Sequence, residues 1–277
     1  MQKLKIVLLL PCIVMLTACA SNADLSEDTI DKAPEVTEQN DESAEEDGAV
    51  EPAQADETVE DSTEQEKNDA VYLKSCNTYQ DILDNAYEVI VADNGADIIP
   101  GDDTFSAVGI REAKMGRDTD EALAGIGYCF YDVDGNGIEE LIIADTGPEG
   151  WNNRILLMYS LADGKPVLVI DGWARNRYYL LNDGTFYNEG SSSASCTTFA
   201  TYRMDEKGIG LKVIDYYHSD SYGDSEWGWF HNTTGVHTVD ERELIEFEDE
   251  DVPWKMMEDY MAQVKQLDLT FFEEMKQ

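Results

Sequence analysis

The sequence predicts an α+β domain: an antiparallel β-sheet of serial hairpins with an N-terminal and a C-terminal helix packed on it. Three observations lead there. Apolar residues recur at helical spacing after Tyr79 and again after Met256. Between them lie short strand-like runs joined by Asp-Gly and Asn-Asp-Gly turns. Composition also shifts sharply, since all 27 aromatic residues (Phe 8, Trp 5, Tyr 14) fall within 71–277.

Residues 1–19 read as an export signal. Lys3 and Lys5 precede an apolar run over 6–16, too short to span a bilayer as a helix. The run ends in Leu16-Thr17-Ala18-Cys19. This tetrapeptide resembles the lipobox of bacterial lipoproteins. The resemblance implies that Cys19 becomes the lipidated, palmitate-bearing first residue of the mature chain. The protein would then be lipid-anchored in the cell membrane, on its extracytoplasmic face. An ordinary secretory signal would fit the same residues, and both readings export the chain.

Residues 20–70 hold nineteen Asp or Glu against two lysines, Lys32 and Lys67, giving a net charge of −17. They contain no aromatic residue. Such a segment cannot bury enough apolar surface to offset its ordering entropy, so it is expected to be a disordered, self-repelling linker. It serves either as a spacer or as a solvated tail.

Residues 71–277 are long enough for one sizeable core or two small ones, and are read as a single domain. They carry −25 of the chain's total of −40, which argues against nucleic acid or an anionic lipid surface as a partner of the polypeptide. Cys76, Cys129 and Cys196 are too few and too widely spaced for a disulfide framework. One bridge with a free thiol, or three thiols, both fit.

Along this domain the first helix carries Tyr79, Ile82, Leu83, Ala86, Val89 and Ile90 on one face. Asn77 or Thr78 can cap it and Gly95 can end it. A weaker helical region over 103–124 is broken by Gly109 and Gly116. Strands are expected over 127–131, 140–145, 154–160, 166–171, 178–181, 185–188, 197–204 and 211–218, with 227–231 a further candidate. The closing helix bears Met256, Met257, Tyr260, Met261, Val264 and Leu267, with Asp251 and Pro253 near its start.

Site chemistry concentrates in Asp132-Val133-Asp134-Gly135-Asn136-Gly137-Ile138-Glu139-Glu140. Oxygen donors at alternate residues, with a glycine for the tight turn, suit a hard cation such as Ca²⁺. The predicted ligands are Asp132, Asp134, Asn136, the Ile138 carbonyl and Glu140. An EF-hand needs a bidentate Glu at position twelve and an exiting helix. Ile143 stands there instead, inside a strand-like apolar run, so the loop is expected to join two strands. Asp-Gly-Asn-Gly would also make a plain hairpin connection, but that needs neither Asp132 nor Glu140. A single site of this kind would brace the sheet rather than perform chemistry.

The loop resembles the calcium loops of FG-GAP and VCBS repeats. One copy is present, so their propeller does not carry over. The segments Tyr131–Ile143, 179–191 and 267–272 resemble those of clostridial surface lipoproteins of unknown function. That resemblance implies a Gram-positive envelope and brings no catalytic residues.

No nucleophile-elbow or zinc-protease motif occurs. Asp215, His218 and Ser219, or Cys196, are the only hydrolytic groups that can be imagined. His231 and His237 have no common zinc spacing. Trp227 and Trp229 share one strand face, and Trp151 and Trp173 sit beside glycines. Exposed, they could hold a glycan or peptide ligand, but Trp227 and Trp229 are expected to fill the core. The polar run 190–195 either meets an anion or connects strands. The sequence therefore favours a calcium-braced binding or structural envelope protein, with an exported hydrolase of cell-wall or dietary polymer as the alternative.

Overall fold

The computed structural model describes residues 70–147, 153–191, 196–222, 226–236, 243–247, 249 and 251–276. The signal segment with Cys19, the linker up to residue 69, Trp151, residues 192–195 and His237 lie outside the described residues.

The first helix, α1 (Tyr79–Val91), opens on a capping box. Thr78 Oγ accepts the Asp81 N–H at 3.2 Å, and the Asp81 carboxylate accepts the Thr78 N–H at 2.9 Å. The helix ends at Ala92, not at Gly95. Lys114 Nζ donates to the freed Ala92 carbonyl, and Gly95 lies in the following turn, where Ala96 N–H donates to Asp93. The weaker helical region resolves into α2 (Val108–Lys114) and α3 (Thr119–Gly125). Gly116, at φ +80°, separates them. Gly109 does not break α2. It sits inside the helix because an added Cβ there would lie 2.1 Å from the Gly172 carbonyl oxygen.

After a small parallel pair, β1 (Val71–Tyr72) with β2 (Ile98–Ile99), every strand joins one antiparallel sheet. In chain order these are β3 (Ile126–Tyr131), β4 (Glu140–Asp145), β5 (Arg154–Ala162), β6 (Lys165–Asp171), β7 (Asn176–Leu180), β8 (Phe186–Ser191) and β9 (Thr197–Met204). β10 (Leu211–Tyr222), β11 (Glu226–Asn232), β12 (Glu243–Ile245) and β13 (Thr270–Phe271) complete it. The spatial order is β12-β11-β10-β9-β8-β7-β5-β4-β3-β13, with β6 paired beside β5. Consecutive strands pair as hairpins from β3 to β6 and from β7 to β12, while β7 returns to β5 and β13 to β3.

The apolar run Leu141-Ile142-Ile143-Ala144 is buried on both faces of β4. Leu141 and Ile143 meet α1, α2 and α3 through Ile82, Ala86, Ile90, Ile110 and Leu123. Ile142 and Ala144 enter a second core with Leu180, Phe186, Met204 and Leu267. That core also contains Val133, from the loop after β3. In the sheet order β3 and β9 stand five strand spacings apart, roughly 24 Å if flat. Packing Val133 with Met204 therefore requires the sheet to coil around this core. The last helix, α4 (Val252–Met261), covers β7–β9, with Tyr260 stacked on Tyr187 at 5.0 Å. α4 stops short of Val264 and Leu267. Past the helix Leu267 is buried in the second core and Val264 is partly buried, bridging to Leu181.

Candidate metal centre

The loop between β3 and β4 holds itself in shape before any ligand is considered. Gly135 and Gly137 adopt φ +74° and +87°, with open space where a side chain would go. The Asp132 carboxylate accepts the Gly137 N–H at 3.0 Å, and Asp134 accepts the Asn136 N–H at 3.1 Å. Glu140, at the first position of β4, is fully buried. One of its oxygens accepts the Val133 N–H at 2.9 Å and the other the Ser160 hydroxyl at 3.1 Å.

These constraints bring Asp132, Asp134 and Glu140 together, with one oxygen of each within 4.8 Å of the others, a cluster that could hold a metal ion. Asn136 lies beside them, its amide nitrogen on Asp134 at 3.0 Å and its oxygen accepting the Ile138 N–H at 2.7 Å. Ile138 has an exposed side chain and enters the network through its backbone. Asp132 Oδ1 is buried and accepts no hydrogen bond. A buried carboxylate oxygen without a donor is costly, and a cation would supply the missing partner. Burial pushes the Glu140 carboxyl above its ordinary range. The Val133 and Ser160 hydrogen bonds oppose that shift, and the charge of Asp134 adds to it.

Two supporting residues were not legible as such. Ser160 is a buried hydroxyl in the otherwise apolar centre of β5, and that polarity was the available signal. Gly208, in the β9–β10 turn, leaves room for the loop: a Cβ there would lie 2.9 Å from Asn136 Nδ2 and 3.3 Å from Asp134 Oδ2.

The imagined hydrolytic group is not assembled. Asp215 and His218 are three residues apart on β10 and face opposite sides of the sheet. Asp215 pairs with His231 at 2.8 Å instead. His218 is buried against the Phe230 ring at 5.2 Å. Ser219 Oγ accepts the Thr197 N–H at 2.9 Å, and Cys196 Sγ stands 3.9 Å from Asp220. Cys76, Cys129 and Cys196 are all free thiols. A second charged cluster, near α2 and α3, closes on itself: Asp145 is bridged by Arg117 at 2.8 Å and Arg154 at 3.3 Å. Trp227 is 49% exposed and does not fill the core. Trp229 packs inward on Phe199.

No protein-family model, curated protein or solved structure matches this chain. Among the described residues, no helix is long and apolar enough to cross a membrane.

Proposed function

We propose that residues 71–277 form a calcium-braced binding or structural domain of an exported, lipid-anchored envelope protein. The observation that carries the calcium reading is Asp132 Oδ1, buried without a donor, facing a cluster completed by Asp134 and Glu140. An all-oxygen set of carboxylates suits Ca²⁺ rather than zinc. Asn136 and the Ile138 carbonyl are the further ligands proposed. Bound there, the ion would tie the loop after β3 to Glu140 of β4, and through it to Ser160 of β5. Calcium is abundant outside cells, so a site with a dissociation constant of about 10⁻⁴ M would fill. Anchoring through Cys19, and kinship with clostridial surface lipoproteins, rest on the signal and on the segments quoted above.

Thermal unfolding of wild type and Asp134→Ala, each with calcium and with chelator, tests the metal. Calcium should raise the wild-type midpoint and leave the variant unmoved. A wild-type midpoint indifferent to calcium rejects it. Fractionation of cells expressing wild type or Cys19→Ser tests the anchor: the variant should leave the membrane fraction.

A further inference from the structure

A cleft of about 570 Å³ opens between β11, β12 and the first turn of α4. Its walls are Trp227, Trp229, Trp254 and Phe247. Trp229 forms the floor, packed on Phe199 at 5.5 Å. The Trp254 and Phe247 rings stand almost perpendicular to it, at 88° and 87°, with centroids 6.3 and 6.5 Å away. Trp227 and Trp254 are 49% and 51% exposed, so aromatic surface is presented to solvent on two sides. That surface stays in contact with water, and a ligand covering it would gain the burial the fold does not provide.

The polar furnishing of the cleft is sparse and one-sided. Among the described residues, Glu246 is the only charged one lining it. Ser219, the only side-chain hydroxyl among the described lining residues, is already bonded to the Thr197 backbone. A sugar needs several convergent donors and acceptors for its hydroxyls, and this cleft does not supply them. An anionic ligand would meet Glu246, with no cation among the described lining residues, in a domain of net charge −25. A positively charged alkylammonium group makes the opposite demands. It is attracted to indole faces, gains from one nearby carboxylate, and in quaternary form asks for no hydrogen bond.

We propose that this cleft binds a ligand through an alkylammonium group held between Trp227, Trp229 and Trp254, with Glu246 as counter-charge. The volume leaves room for the part of the ligand to which the cation is attached. The site lies apart from the Asp132 loop and does not depend on the metal.

Tryptophan fluorescence of the full chain, titrated in excess calcium, tests this with choline, its neutral isostere dimethylbutanol, and N-acetylglucosamine. Choline should give a saturable change, with the isostere about tenfold weaker or more. Trp254→Ala and Glu246→Gln should each weaken choline by about tenfold while leaving the thermal midpoint near wild type, since both side chains are exposed. Trp227→Ala provides a second exposed variant. Equal binding of choline and isostere would reduce the cleft to an apolar surface and overturn the proposal. So would saccharide binding with choline silent, or no response to any probe.

Discussion

The Ser160 hydroxyl donates to Glu140 Oε1 at 3.1 Å, with both residues buried, so the last carboxylate of the β3–β4 loop is oriented by the neighbouring strand. Ser160→Ala leaves that oxygen without its donor. The expected loss is about 1 kcal/mol in urea unfolding with chelator present, together with a smaller calcium shift. An unchanged calcium response would show that Ser160 does not orient the ligand.

The same carboxyl sets a pH dependence. Burial holds it above the ordinary value of 4.5, so the folded chain keeps its proton more tightly than the unfolded chain. Without metal, the stability this group contributes is fully present below that value and is lost as pH rises through the folded one. Calcium needs the carboxylate, so its stabilising effect should grow over the same range. Glu140→Gln should remove this contribution to the pH slope in chelator. A calcium shift as large at pH 4 as at pH 7 would contradict the assignment.

Gly109→Ala should cost about 1–3 kcal/mol, because the new methyl group meets the Gly172 carbonyl and must push α2 off the sheet. Gly116→Ala differs in kind. It meets open space but sits at φ +80°, so its cost is backbone strain alone, about 1 kcal/mol. Chemical denaturation of the two variants separates the effects, and a cost for Gly109→Ala no greater than that for Gly116→Ala would refute the packing argument.

Burial pushes the Cys76 thiol up to about 11, with the charge of Asp102 adding and an Asn85 hydrogen bond opposing. It pushes Cys129 to about the same value, with Asp268 adding. At neutral pH each is thiolate on the order of one part in ten thousand. Alkylation of both should therefore be slow in the native protein and quicken about tenfold per pH unit up to that range. Mass spectrometry of the labelled chain after a pH series checks it. Rapid labelling of Cys76 at neutral pH would mean that α1 opens readily.

Periodicity located α1, where one face is buried and the other is not, and short apolar or alternating runs between turn residues located the strands from β3 to β11 to within a few residues. It failed where burial and helix diverge. The stripe through Val264 and Leu267 looked helical because Leu267 is buried and Val264 partly so, yet the helix has ended there and Val264 bridges to Leu181. Gly109 looked like a breaker because sequence records its weak propensity and not the carbonyl packed against it. The strands β12 and β13 are three and two residues long, too short for any pattern, and exist through pairing with β11 and β3. Of the metal cluster, the acids were readable from spacing. Ser160 reaches it through the pairing of β5 with β4, and Gly208 because the sheet coils.

Those short terminal strands bear on how copies of the protein behave when crowded. A sheet edge displays unpaired amide and carbonyl groups, and a long flat edge templates pairing with a neighbouring chain. Here the sheet order ends on β12 and β13, too short to nucleate such a ribbon. The longer β6 pairs only with β5 among the described strands, and it carries Pro166, which has no N–H to donate, beside an irregular register at Met158 and Tyr159. Among the described strands, the short β12 and β13 and the proline of β6 leave these margins poor templates for edge-to-edge pairing, and Pro166→Thr would improve the template at β6.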